Sequence, residues 1–196
     1  MSNEEEIMSN GKAKLPLKRE FSSGGVVYKK LIVNGKEQIV WLIGKHSGYH
    51  KWVLPKGMIE PGERGIETAV RETREEMGVV ARVIGEKPIH KEQYFFVAEL
   101  KKSDKLQGTS NKKITPIRRV AVYKENPEFE EKKGNKIKIF KTVTFYLMEY
   151  VSGDPKDRDF EMEEAGWYGF EEALAMLAFP GERQALEAAR DKIAKV

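Results

Sequence analysis

The sequence predicts an α/β fold in which helices cover a mixed sheet, and three features carry that expectation. Asn34-Gly35 stands between two apolar β-like runs, a two-residue hairpin signal. One helical period follows Pro61-Gly62. β-like runs then resume and give way to a closing amphipathic segment.

Taken in order, residues 1–19 are polar, aperiodic and interrupted by Gly11 and Pro16, and read as a loosely ordered tail, with one domain over 20–196. Ser23 to Val33 reads as a strand with a glycine-rich entry, and Gln38 to Gly44 as its hairpin partner. Gly44 to Gly62 reads as a loop carrying Trp52-Val-Leu-Pro-Lys-Gly. From about Glu63 the apolar positions Ile66, Ala69, Val70, Thr73 and Met77 follow helical spacing, and Gly78 supplies the stop. Strands are expected at 79–84, 93–98, 117–123 and 137–151, with polar, turn-rich loops at 103–111 and 125–135. Trp167 to Phe170 reads as a last strand, Glu171 to Leu177 as a helical turn or two, and Gly181 to Lys195 as the closing helix.

Composition narrows the chemistry. With no cysteine there is no disulfide, thiolate metal site or cysteine nucleophile, and three histidines make an imidazole-rich site hard to build. Any metal would be held by oxygen. No apolar run approaches the roughly 18 residues that span a bilayer, and the acidic first residues are unlike a secretory signal, so a cytoplasmic address is expected. Basic residues exceed acidic ones by 4, yet 101–141 alone holds 13 basic and 5 acidic side chains. That basic insertion suits either a polyanion, such as a phosphate chain or RNA, or a solvated lysine-rich loop.

On the central helix Glu72 and Glu76 are i, i+4 neighbours and Glu75 is i+3 from Glu72. Three carboxylates are therefore expected on one side, away from the apolar stripe. Crowded like charges destabilise a helix unless a cation offsets them, and hard divalent ions prefer carboxylate oxygen. A solvated acidic face is the plainer reading of the same spacing.

The surrounding residues point further. Gly57-x5-Glu63-x7-Arg71-Glu72-Thr73-Arg74-Glu75-Glu76-Met77-Gly78-Val79 resembles the Nudix box, G-x5-E-x7-R-E-U-x-E-E-x-G-U, over 23 consecutive positions. Thr73, where the pattern has a bulky apolar residue, is the one departure, and its hydroxyl can bond back to a carbonyl. The glycine-rich first strand and the Trp167-Tyr-Gly-Phe-Glu-Glu-Ala-Leu ending extend the resemblance over about 20–193.

That resemblance implies a Nudix-type α/β/α sandwich with a loop-helix-loop catalytic motif. It also implies hydrolysis of a nucleoside diphosphate linked to another moiety, with Mg²⁺ or Mn²⁺. It implies Glu72, Glu75 and Glu76 as metal ligands, with Glu63 assisting through water or a second ion, the close-approaching Gly57 at the metal site, and Arg71 as the group orienting the carboxylates. Glu75 or Glu72 is the expected base, with Glu161, Glu163 and Glu164 as outside candidates in an acidic loop. Lys56 is expected to meet phosphate as a mobile point charge, with Lys51 and Arg118 as weaker contacts. Tyr49, Trp52 and Tyr94 are stacking candidates for a base, or else packing aromatics, while His46 and His50 read as surface residues. The Trp-x-Leu-Pro-Lys-Gly run is most similar to the dinucleoside polyphosphate and diphosphoinositol polyphosphate hydrolases. Diadenosine tetraphosphate is the expected substrate, with ADP-ribose or an oxidised nucleotide as the alternative. A non-catalytic sensor of nucleotide or RNA ends remains a further one, and a monomer or homodimer with no membrane contact is expected.

Overall fold

The computed structural model describes residues 17–99, 119–120 and 136–195. The expected loops at 103–111 and 125–135, most of the basic insertion, and Arg118 lie outside them. In chain order the elements are β1 (Leu17–Val33), β2 (Lys36–His46), β3 (Lys51–Val53), β4 (Lys56–Met58), α1 (Gly65–Met77), β5 (Val79–Val83) and β6 (His90–Glu99). There follow β7 (Arg119–Val120), β8 (Lys136–Gly153), a 3-10 turn (Pro155–Asp157), β9 (Met162–Tyr168), α2 (Phe170–Met176) and α3 (Pro180–Ile193).

The chain divides into two compact units, one of Met1–Glu20 with Gln93–Lys141 and one of Phe21–Glu92 with Thr142–Val196. In the first, β6 and β7 pair antiparallel, Val97 opposite Val120. The Phe95 and Phe140 rings lie 4.7 Å apart, and Lys141 Nζ is 3.7 Å from Glu20 Oε2.

In the second unit β2 is central. It pairs antiparallel with β1 (Tyr28 opposite Trp41), β3 (Gly44 opposite Val53) and β9 (Leu42 opposite Trp167). β4 adds to β1 through Ser23 and Gly57, β5 to β8 through Val83 and Met148, and one parallel bridge joins Trp52 to Leu177. The β1–β2 turn has positive φ at Asn34 (52°) and Gly35 (74°), the twist a two-residue hairpin needs. Successive side chains on a strand face opposite ways, and β2 uses this to serve two layers. Leu42 joins Val27, Ala69 and Met77 beneath α1, whereas Trp41 meets Tyr28 at 6.0 Å and Phe170 of α2 at 6.2 Å. Helices therefore cover both faces, as expected.

Four local expectations change. β1 begins at Leu17, inside the supposed tail. The 44–62 loop contains β3 and β4. β9 starts at Met162, so Glu163 and Glu164 are strand residues rather than loop residues. The three carboxylates of α1 do not share one solvated side: Glu75 is exposed, Glu72 half-buried, and Glu76 buried beside Met77 at 7% exposure. Glu76 tolerates that position because the Lys56 main-chain N–H donates to its Oε2 at 2.9 Å.

Candidate active site

α1 is fixed at both ends by its own residues. The Arg64 N–H donates to Glu67 Oε2 at 2.9 Å at the start, and Gly78, at φ 66°, donates to the Arg74 carbonyl at 3.0 Å at the end. This left-handed stop leads directly into β5.

Arg71 organises the outer face of the helix. Its Nε and Nη2 donate to the two oxygens of Glu63 at 2.9 Å each, its Nη1 to Glu72 at 2.6 Å and to Glu75 at 3.1 Å, and its Nη2 also reaches the Met58 carbonyl at 3.1 Å. Such forked, charge-assisted bonds fix direction as well as distance. Glu63 is further held by the Thr68 hydroxyl at 2.7 Å and the Glu60 N–H at 3.2 Å. Arg71 chiefly, with these donors, holds the Glu63 carboxyl down at about 2. Both oxygens of Glu63 are thus engaged, and it is the anchor of Arg71.

Glu72 and Glu76 behave oppositely. Burial pushes Glu76 up to about 8 despite the opposing charge and N–H of Lys56, and the neighbouring charges of Glu72 and Glu161 add to the rise. Glu72 is raised by burial too, against Arg71, with Glu75 and Glu161 contributing. Two partly desolvated carboxylates that resist simultaneous ionisation favour a cation between them. The Glu72 carboxylate lies so close over Gly57 that a Cβ there would collide with it, which explains a glycine at that position.

Glu161 is the one outside candidate coupled to both carboxylates. Its turn is tied down on three sides. The Asp159 N–H donates to the Glu75 carbonyl at 3.3 Å, and the Ser47 N–H to the Glu161 carbonyl at 2.8 Å. Arg158 spreads its guanidinium over the carbonyls of Met162 at 3.2 Å and Glu163 at 2.6 Å. Glu163 instead pairs with Lys45 at 3.1 Å and with His50, and Glu164 accepts from the Tyr168 hydroxyl at 3.4 Å, so neither serves the helix.

The donor set of Glu72, Glu75, Glu76 and Glu161 has the all-oxygen chemistry of a Mg²⁺ or Mn²⁺ site. Among the described residues no three acidic or histidine side chains form a cation cluster, and the Arg71 guanidinium bonds Glu63, Glu72 and Glu75.

The expected phosphate contacts are placed differently from one another. Lys56 Nζ sits 2.7 Å from Glu182 Oε1 and 3.4 Å from the Leu54 carbonyl, so it is an anchored, half-buried charge rather than a mobile one. Glu182 holds it in the ammonium form. Lys51 is exposed on β3. Trp52 is half-buried and packs edge-on against Tyr168 at 5.4 Å, a structural contact. Tyr49 stacks on His46 at 4.0 Å and meets Phe179 edge-on at 6.1 Å. His46 is also tied locally, its Nδ1 accepting the Gly48 N–H at 2.9 Å. Tyr94 lies in the other unit, 6.2 Å from Phe96. Thr68, Arg158 and Glu182 carry no motif signal in the sequence; only the first-turn position of Glu182 in an amphipathic helix hinted that its charge had a partner.

Comparison with known proteins bears on the family and the fold. The family profile of the NUDIX domain matches residues 30–124. A candidate mutator protein, MutT4, of Mycobacterium tuberculosis is 28% identical over 188 residues, covering 95% of this chain and 60% of that protein. The asymmetrical bis(5'-nucleosyl)-tetraphosphatase of Mus musculus is 52% identical over 40 residues, 20% of this chain and 27% of that one. The chain therefore spans less than two thirds of these relatives. The crystal structure of a C. elegans Ap4A hydrolase binary complex superimposes with a TM-score of 0.57 at 19% identity, over 90% of this chain and 99% of that one, a likeness of fold.

Proposed function

We propose that this chain, whose residues 30–124 match the NUDIX domain, is a Nudix hydrolase: a metal-dependent pyrophosphohydrolase whose preferred substrate is a dinucleoside polyphosphate such as diadenosine tetraphosphate. The observation that carries the reading is the Glu72–Glu76 pair, desolvated, mutually repelling and backed by Gly57. Glu72, Glu75, Glu76 and Glu161 would hold Mg²⁺ or Mn²⁺; when bound, such an ion neutralises charge developing on the phosphates and acidifies water.

The protein's own groups supply the rest. Arg71, anchored by Glu63, aims the Glu72 and Glu75 carboxylates. Glu75, with 56% of its side chain exposed at the helix surface, is the group that accepts the proton of the attacking water as a phosphoanhydride bond breaks. Glu76 remains a binding group, since its oxygen is already committed to the Lys56 N–H.

The tetraphosphatase relative supports the dinucleoside substrate. The mutator relative, which matches along nearly the whole chain, favours oxidised-nucleotide clean-up as the second reading. Purified protein with Mg²⁺ is expected to release ATP from diadenosine tetraphosphate faster than it cleaves ADP-ribose or an oxidised nucleoside triphosphate. A reversed order assigns the second reading. Glu76→Gln is expected to lower turnover by at least about 100-fold with the fold retained by circular dichroism, and undiminished turnover removes the metal-site reading.

A further inference from the structure

α3 contributes a side chain from far outside the 23-residue motif. Glu182, in the first turn of the helix, is 1% exposed, yet carries a full set of partners. Its Oε2 accepts the Leu54 N–H at 3.2 Å and its Oε1 pairs with Lys56 Nζ at 2.7 Å. A carboxylate buried this deeply is strongly destabilising unless paired, and the helix N-terminus favours its negative charge. Lys56, held from one side by Glu182, gives its main-chain N–H to Glu76 on the other, and the next residue, Gly57, faces Glu72. The segment Leu54–Gly57 is further pinned where the Gly25 N–H donates to the Pro55 carbonyl at 3.1 Å. It is thus strung between α3 and α1, with the two least solvated carboxylates of the site resting on it.

We infer that Glu182 is a positioning residue: by anchoring Lys56 and Leu54 it fixes the strand against which Glu76 and Glu72 are set, and Lys56 is an internal counter-charge rather than a phosphate contact. This rests on the Glu72–Glu76 reading above. Two consequences separate it from a merely structural role. Loosening the strand disturbs carboxylate placement, so turnover and metal requirement shift while substrate affinity does not. Because Glu182 and Lys56 act as one unit, removing both costs no more than removing one.

The test uses the full chain, with diadenosine tetraphosphate and Mg²⁺, comparing wild type with Glu182→Gln, Lys56→Gln and the double variant well below their melting temperatures. Each single variant is expected to lose roughly tenfold or more in kcat and to need several-fold more Mg²⁺ for half-maximal rate, with KM within about threefold; the double variant should resemble the singles. Unchanged kcat and Mg²⁺ dependence in Glu182→Gln, with only a lower melting temperature, overturns the inference. So does a Lys56→Gln variant that raises KM tenfold at constant kcat, the signature of a lost phosphate contact, and this arm decides the matter should Glu182→Gln fail to fold. Wild type without Mg²⁺-dependent turnover overturns the underlying enzyme reading instead, before any variant is compared.

Discussion

Glu92 shows how a carboxylate with no role in the motif can set the acid response of the protein. It packs against Gly181 at the start of α3, and burial first, then the Glu182 charge, pushes it up to about 7 against the opposing pull of Lys56. Its folded-state value lies above the ordinary 4.5, so the folded protein binds the proton more tightly than the unfolded chain. The resulting stabilisation is complete below about 4.5 and is lost as pH rises to about 7. Glu92→Gln should remove that loss: the variant gains on wild type, on the order of 1–2 kcal/mol after allowing for partial exposure, when urea midpoints at pH 8 are compared with those at pH 5. A constant gap between the two proteins at both pH values would count against it. In the sequence, Lys91-Glu92-Gln93 is simply a polar stretch, because burial of one carboxylate is decided by a helix that begins at Pro180. Arg71 is the opposite case. Its carboxylate partners lie within eight residues on the same loop and helix, so a contiguous motif could carry them.

At the scale of elements, legibility follows the range of the forces that make each one. The hairpin at Asn34-Gly35 and the end of α1 at Gly78 were readable because positive φ is a local demand with a residue preference of its own. β3 and β4, three residues each around Pro55, were not, since they exist only by pairing with β2 and β1. The buried side of α1 was half-readable. Ala69 and Met77 kept the helical period, but Glu76 joined them because a main-chain donor from β4 was waiting for it. Gly78 does double duty: a Cβ there would also lie 2.6 Å from the Asp154 carbonyl and 2.9 Å from the Arg158 nitrogen, crowding the turn that carries Glu161. Gly78→Ala is therefore expected to cost about 2 kcal/mol or more in chemical denaturation, and to weaken turnover as well as stability. A melt indistinguishable from wild type would contradict this.

For the molecule as a whole, the sequence conveyed the layering of its second unit but neither the division into two units nor the path of the C-terminal helix. The order of strands, central helix and closing helix was enough to anticipate that helices cover the sheet, and Trp41 and Leu42 bear this out from adjacent positions. Trp41, 1% exposed between Tyr28 and Phe170, should be among the costliest side chains to truncate; Trp41→Ala is expected to lose about 3–5 kcal/mol in urea unfolding, and a loss below about 1 kcal/mol would mean the α2 layer is not coupled to the sheet. Clustered basic charge at 101–141 is visible by counting, whereas its placement is not a property of composition. The hydrogen bond from Leu54 to Glu182 bridges 128 positions of chain, a separation no window-based pattern can register. It also has a bearing on biosynthesis. A ribosome delivers the entire motif long before it delivers α3, so a nascent polypeptide holding every signature residue still lacks the clasp beneath its acidic pair, and competence waits until α3 has been made.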